Sequence, residues 1–161
     1  MDELPALQDI ERAAGQCFKD VGMPEIAADD PLSLDELAWF QASEMAWVAV
    51  NETDQPMAYL IAKIVDDDFY VEQISVHSAY ARRRIGKAML DHVAGVARDA
   101  DASHLTLATF RDVPWNAPYY LTCGFEIMSR ESLTPGLLAI QRQEIDHGLY
   151  RWARVFMRRA V

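Results

Sequence analysis

The chain has 161 residues, 51% of them apolar, and a formal net charge of −10. That length suits one compact domain, and the apolar share supports a core and argues against global disorder. The acidic balance argues against non-specific nucleic-acid binding, which needs a basic stripe.

In chain order, Leu4 to about Val21 predicts a helix, because Leu7, Ile10, Ala14, Cys17, Phe18 and Val21 recur at three- and four-residue steps. Gly22 and Pro24 stop it. Residues 25–31 read as an acidic loop. Ser33 with Glu36 three positions on forms a capping box for a second helix through about Ser43. Trp47–Val50 and Met57–Val65 predict two strands of a hairpin around the polar turn 51–56. Asp66, Asp67 and Asp68 mark a solvated turn before a third strand, Phe69–Val76. A basic turn, Ala81–Arg84, leads to a helix opened by Gly86 and closed near Asp99 and Asp101. Leu105–Phe110 predicts a strand, 114–123 holds a short helix, and Phe125–Met128 is a further strand. Leu137 to about His147 reads as a helix stopped by Gly148, and Arg151–Met157 as the last strand. The whole is a mixed α/β layer architecture.

Charge divides along the chain. Residues 1–70 carry 16 acids and 3 bases, and residues 71–161 carry 9 acids and 12 bases. The division suits one cationic and one anionic ligand, or ordinary solubility. Cys17 and Cys123 are too far apart in sequence for a metal cluster or a disulfide framework, and the four histidines show no HExxH spacing. No metal is expected. The N-terminus lacks a basic segment leading into an apolar run, and no apolar stretch is long enough to span a bilayer, so a cytoplasmic location and no membrane partner are expected.

The informative segment is Tyr70–Leu90, YVEQISVHSAYARRRIGKAML. A strand runs through a short basic loop into a helix start. Helix N-terminal amides are unpaired and face an incoming anion. Arg82, Arg83, Arg84 and Lys87 add positive charge, and Gly86 allows close approach of backbone to ligand. Read alone, these residues suit either a polyphosphate site or a solvated basic turn, and the loop is neither a GxxxxGK phosphate loop nor a dinucleotide fingerprint.

This segment resembles the acetyl-CoA-binding motif of the GNAT acetyltransferases. Ile74 and Val76 match the family's strand end, and Ala81–Gly86 (ARRRIG) matches its Gln/Arg-x-x-Gly-x-Gly/Ala loop. The resemblance implies an α/β fold with a mixed, mostly antiparallel sheet flanked by helices and a splayed cofactor-binding strand. It implies that the backbone around Ile74, Ser75 and Val76 binds the pantetheine arm. The amides from Arg82 through Ile85 and Gly86 to Lys87 would hold the pyrophosphate. Ala81 and Arg84 depart from the pattern, Arg84 standing where the family's first glycine usually lies; the cradle survives there if the Arg84 φ is negative. A strand usual before the family's first helix is missing here or lies upstream.

A second run, Val113–Phe125 (VPWNAPYYLTCGF), resembles the family's later motif. Tyr120 takes the position of an aromatic residue that protonates the leaving thiolate, with Tyr119 its neighbouring alternative. Asn116 either caps the short helix or hydrogen-bonds the CoA arm. The implied activity is transfer of acetyl from acetyl-CoA to a primary amine, with no metal. Glu72, on the face shared with Ile74 and Val76, is the candidate base; its alternative is a surface ion pair. His77 and Glu44 are weaker choices. Cys123 reads as packing. Acids Glu25, Asp29, Asp30, Asp35, Glu36 and Glu44 in the first helices and their loop favour a cationic amine acceptor, with Trp39, Phe40, Trp47 and Trp115 as aromatic candidates near it. The alternative is an acyl-CoA-binding or regulatory module with little catalysis. Dimerisation is common in the family, so a homodimer is among the expectations.

Overall fold

The computed structural model describes residues 3–161. The helices are α1 (Leu4–Gly15), α2 (Pro24–Ala27), α3 (Leu34–Ala42), α4 (Ile85–Asp99), α5 (Ala117–Thr122) and α6 (Pro135–Asp146). The strands are β1 (Ala46–Val50), β2 (Pro56–Val65), β3 (Asp68–Val76), β4 (His104–Phe110), β5 (Glu126–Ile127) and β6 (Arg154–Ala160). They form one six-stranded sheet of order β1-β2-β3-β4-β6-β5. The sheet is mostly antiparallel, as expected. The exception is β3 with β4, a parallel ladder of two pairs, Phe69↔Leu105 and Tyr70↔Thr106. Among the described residues no helix is long and apolar enough to cross a membrane.

The chain divides into two compact units, one holding the residues up to Lys63 with Val71–His92, the other Ile64–Tyr70 with Val93–Val161. In the first, Leu7 and Ile10 of α1, Leu37 and Phe40 of α3, and Tyr59 and Ile61 of β2 form one buried cluster. The capping box holds α3 in place locally: the Glu36 amide donates to Ser33 Oγ at 3.2 Å, and the Ser33 amide donates to Glu36 Oε2 at 2.8 Å. Beneath this cluster sits a carboxylate. Glu11 Oε2 accepts from the Tyr59 hydroxyl at 2.6 Å and from the Leu32 amide at 3.4 Å. Burial pushes the Glu11 carboxyl above its usual range, partly offset by those hydrogen bonds. A raised acid pKa means that the folded state holds its proton more tightly, so stability falls as pH rises from about 4.5 through the folded value. Glu11→Gln, which keeps an acceptor without the charge, is expected to be at least as stable as the parent at pH 7. Its advantage should shrink towards pH 4, as read by urea denaturation at the two pH values.

In the second unit, β4 and β6 pair over seven positions from His104↔Ala160 to Phe110↔Arg154. Tyr70, Leu137 and Phe156 make its buried cluster with half-buried neighbours that include Val65 and Met128. The triple aspartate is a turn, with Asp66 and Asp67 both at positive φ. It is not merely solvated. Asp66 Oδ2 accepts from the Gly136 amide at 2.7 Å, and Asp68 Oδ1 accepts from the Ser103 and His104 amides at 3.0 and 2.8 Å. A Cβ at Gly136 would lie 2.5 Å from Val65 Cγ1; the glycine is what lets α6 begin against this turn.

Several expected boundaries shift. The helix expected over 4–21 ends at Gly15 and tightens into a 3₁₀ segment, Gln16–Val21; glycine is the weakest helix former in that run after proline. The expected acidic loop opens with one helical turn, Pro24–Ala27, which has proline at its start. The fifth strand is two residues rather than four. The last strand begins at Arg154, because Gly148 in the left-handed region is followed by a 3₁₀ turn over Leu149–Arg151.

Candidate active site

In the first unit, the cofactor-type loop is anchored from both ends. The His77 amide donates to the Met57 carbonyl at 2.9 Å, and His77 Nδ1 accepts from the Ala79 amide at 3.1 Å, capping a 3₁₀ turn over Ser78–Tyr80. The Asn51 side chain donates to the Tyr80 hydroxyl at 3.2 Å, tying the turn to the β1–β2 hairpin. These bonds give His77 a structural task. Arg83 then lies over the Tyr80 ring, 5.4 Å from its centroid.

The backbone of the loop differs from the sequence expectation. Arg84 has φ +60°, and Arg82 has φ +62°. The negative φ on which the cradle was expected to depend is therefore absent. Arg84 adopts a left-handed conformation of the kind that favours glycine, and the Ala88 amide then donates to its carbonyl at 3.0 Å as α4 begins. Left-handed residues within a turn are how backbones gather amides into anion-binding concavities. A non-glycine residue at this φ carries a strain of about 1 kcal/mol. Arg82 and Arg84 are exposed, and Lys87 pairs with Asp91 at 2.6 Å. Gly86 is buried in the first turn of α4.

On β3, Ile74 and Val76 are half-buried and Ser75 is buried. The Ser75 hydroxyl accepts from Gln73 Nε2 at 2.8 Å and hydrogen-bonds Tyr59, which in turn donates to Glu11. That chain occupies the Ser75 side chain, so its backbone is what it offers a ligand. Glu72 pairs with Lys63, Oε2 to Nζ 2.8 Å, and both side chains are about one-third exposed. The acids Glu25, Asp29, Asp30, Asp35, Glu36 and Glu44 are all exposed, with Glu36 engaged in the α3 cap. Phe40 is core, Trp47 is half-buried, and Trp39 is 58% exposed, edge-on to Phe40.

In the second unit, Tyr120 sits on α5, 9% exposed, edge-on to Tyr119 at 5.6 Å and to Phe125 at 5.7 Å. Burial, chiefly, pushes its phenol well above the usual value; Tyr119 and Cys123 add to the shift and Arg154 opposes it. The hydroxyl therefore keeps its proton throughout the physiological range. The Asn116 side chain makes no capping bond to α5, which removes the capping half of its two expected roles. The Asn116 backbone carbonyl accepts from the Tyr120 amide at 2.9 Å. Cys123 is 4% exposed, in keeping with packing. Among the described residues no group of three or more His, Cys, Asp or Glu side chains is placed to hold a metal.

A family model described as the acetyltransferase (GNAT) family matches residues 7–125, which include both motifs. The chain belongs to the acetyltransferase (GNAT) family. Solved GNAT structures share the fold. The ribosomal-protein-S18-alanine N-acetyltransferase of Escherichia coli is 20% identical with a TM-score of 0.67, over 100% of this chain and 89% of that one. A GNAT-family acetyltransferase of Staphylococcus aureus Mu50 is 14% identical with a TM-score of 0.72, over 99% and 93%. The PaiA N-acetyltransferase of Thermoplasma acidophilum, crystallised with coenzyme A, is 13% identical with a TM-score of 0.66, over 99% and 94%. Within this GNAT chain, sequence reasoning missed the Asn51–Tyr80 and Glu11–Tyr59–Ser75 contacts that brace the loop and β3. Their partners lie 29 and 48 residues apart in the hydrogen bonds concerned, and no local pattern signals them.

Proposed function

We propose that this GNAT domain transfers acetyl from acetyl-CoA to a primary amine carried by a cationic small molecule or peptide. The left-handed backbone at Arg84 supports this reading, because that conformation favours glycine, the residue the resemblance expects there. The amides of Arg82 to Lys87 hold the pyrophosphate, and the backbone of Ile74–Val76 holds the pantetheine arm. Support for the latter comes from the β3–β4 ladder, whose two pairs both precede Val71. The neutral amine attacks the thioester carbonyl, a tetrahedral oxyanion forms against backbone donors, and the thiolate leaves with a proton from Tyr120. Glu72 takes the amine's proton, directly or through water. Asn116, with no capping bond of its own, is assigned to the CoA arm. The exposed acids of the first helices and the exposed Trp39 favour a cationic acceptor.

Calorimetric titration of acetyl-CoA tests the cofactor assignment. A Kd on the order of 10 µM is expected. Arg84→Gly should also bind, and it should be more stable by about 0.5 kcal/mol, the relief of left-handed strain less the entropy cost of glycine. No binding by either protein would overturn the assignment. Binding without turnover on a panel of amines would instead leave an acyl-CoA-binding module.

Glu72→Gln separates base from ion pair. As base, it should abolish the acid limb of the pH–rate profile and lower kcat about 100-fold. As a partner of Lys63 alone, it should change stability by under about 1 kcal/mol and leave the profile intact.

A further inference from the structure

The second unit contains a cavity of about 320 Å³ that the acetyl-transfer reading does not use. Its apolar lining includes Leu133, Ile145 and Phe156, and its polar lining includes Arg130, Tyr150 and Arg154. Among the described residues no carboxylate lines it. Arg154 is the informative member. Its side chain is only 9% exposed and is held between the Phe110 ring, 4.5 Å from the guanidinium carbon, and Glu144, which accepts from Nη2. Yet Arg154 Nε is buried with no hydrogen-bond partner among the described residues, as is the other oxygen of its partner, Glu144 Oε2. A buried charged donor without a partner is costly and points to a missing acceptor. Glu144 neutralises only one of the two lining arginines, since Arg130 is exposed and no ion pair engages it among the described residues. The cavity lies at the small end of ligand-site volumes.

We propose that this cavity is a binding site for a small monocarboxylate with an apolar body, such as an arylalkanoic acid. The carboxylate meets Arg154 and Arg130 at the polar side, and the hydrocarbon part packs on Leu133, Ile145 and Phe156. The site stands independently of acetyl-CoA, so its test is run without the cofactor and fails or succeeds separately from the transferase reading.

The probes are 3-phenylpropanoate and its neutral analogue 3-phenylpropanamide, titrated calorimetrically into the full chain at low salt. The acid is expected to bind with a Kd on the order of 1 mM or tighter, and the amide about tenfold more weakly. Ile145→Trp, at a helix position that is 50% exposed, fills the cavity from its rim and should abolish binding of the acid. Arg130→Gln, at an exposed position whose loss the fold tolerates, should weaken the acid about threefold and leave the amide unchanged. No saturable binding of the acid, equal affinity for acid and amide, or undiminished binding by both variants would each overturn the proposal.

Discussion

Replacing Tyr120 with Phe is expected to lower kcat for acetyl transfer about 100-fold, within the range that a positioned general acid supplies. The KM for acetyl-CoA should change little, because the ring keeps its edge-on contacts with Tyr119 and Phe125. Burial makes this phenol a weaker acid than a solvated one. It makes a thiolate leaving group a stronger base by the same desolvation, so the proton transfer remains feasible. The raised pKa also fixes the pH behaviour: the parent should show no basic limb from Tyr120 below pH ~10. Release of free CoA thiol, followed spectrophotometrically across pH 6 to ~9.5, measures both parameters. Tyr119→Phe is the control. Tyr119 is only half-buried, and a fall confined to that variant would transfer the acid's role to it. Unchanged kcat in both would remove a tyrosine acid from the mechanism.

What the sequence made legible was what is local. The α3 capping box was readable because donor and acceptor lie three residues apart. The order of strands was readable because their β-branched and aromatic runs are separated by turn residues. Boundaries failed where a short helical turn carries no periodicity, as at Pro24–Ala27, and where 3₁₀ geometry takes over, as at Gln16–Val21 and Leu149–Arg151. The loop at Arg84 is the most telling case. An arginine gives no sign of positive φ, since left-handed conformations of non-glycine residues are uncommon. The bracing of that turn through His77, Asn51 and Tyr80 helps to over-determine its conformation. Arg84 thus holds a backbone conformation that favours glycine, and its residue type gives no sign of it.

The largest stability effect is expected at Glu144. Neither its place on α6 nor that of Arg154 at the start of β6 marks them as partners in sequence, yet their side chains are 11% and 9% exposed and they form an ion pair. Glu144→Ala would leave the Arg154 guanidinium buried without its carboxylate, at a cost of about 3 kcal/mol, or a Tm lower by roughly 6–12 °C in a chain of this size. The pair as a whole is worth far less than this, because both ions gave up water to form it and Glu144 Oε2 and Arg154 Nε gain no partner among the described residues. The double variant Glu144→Leu with Arg154→Met should therefore recover most of the loss, whereas Glu144→Gln, which keeps an acceptor but not the charge, should fall between. Urea denaturation of the three variants and the parent decides the matter. A double variant as unstable as Glu144→Ala would show that Arg154 stabilises β6 through the Phe110 ring, 4.5 Å away, rather than through its carboxylate. Arg154 also holds down the Tyr120 phenol pKa against burial. The double variant should accordingly raise that pKa further, and on the proposed role of Tyr120 as acid it should also slow acetyl transfer where stability is restored.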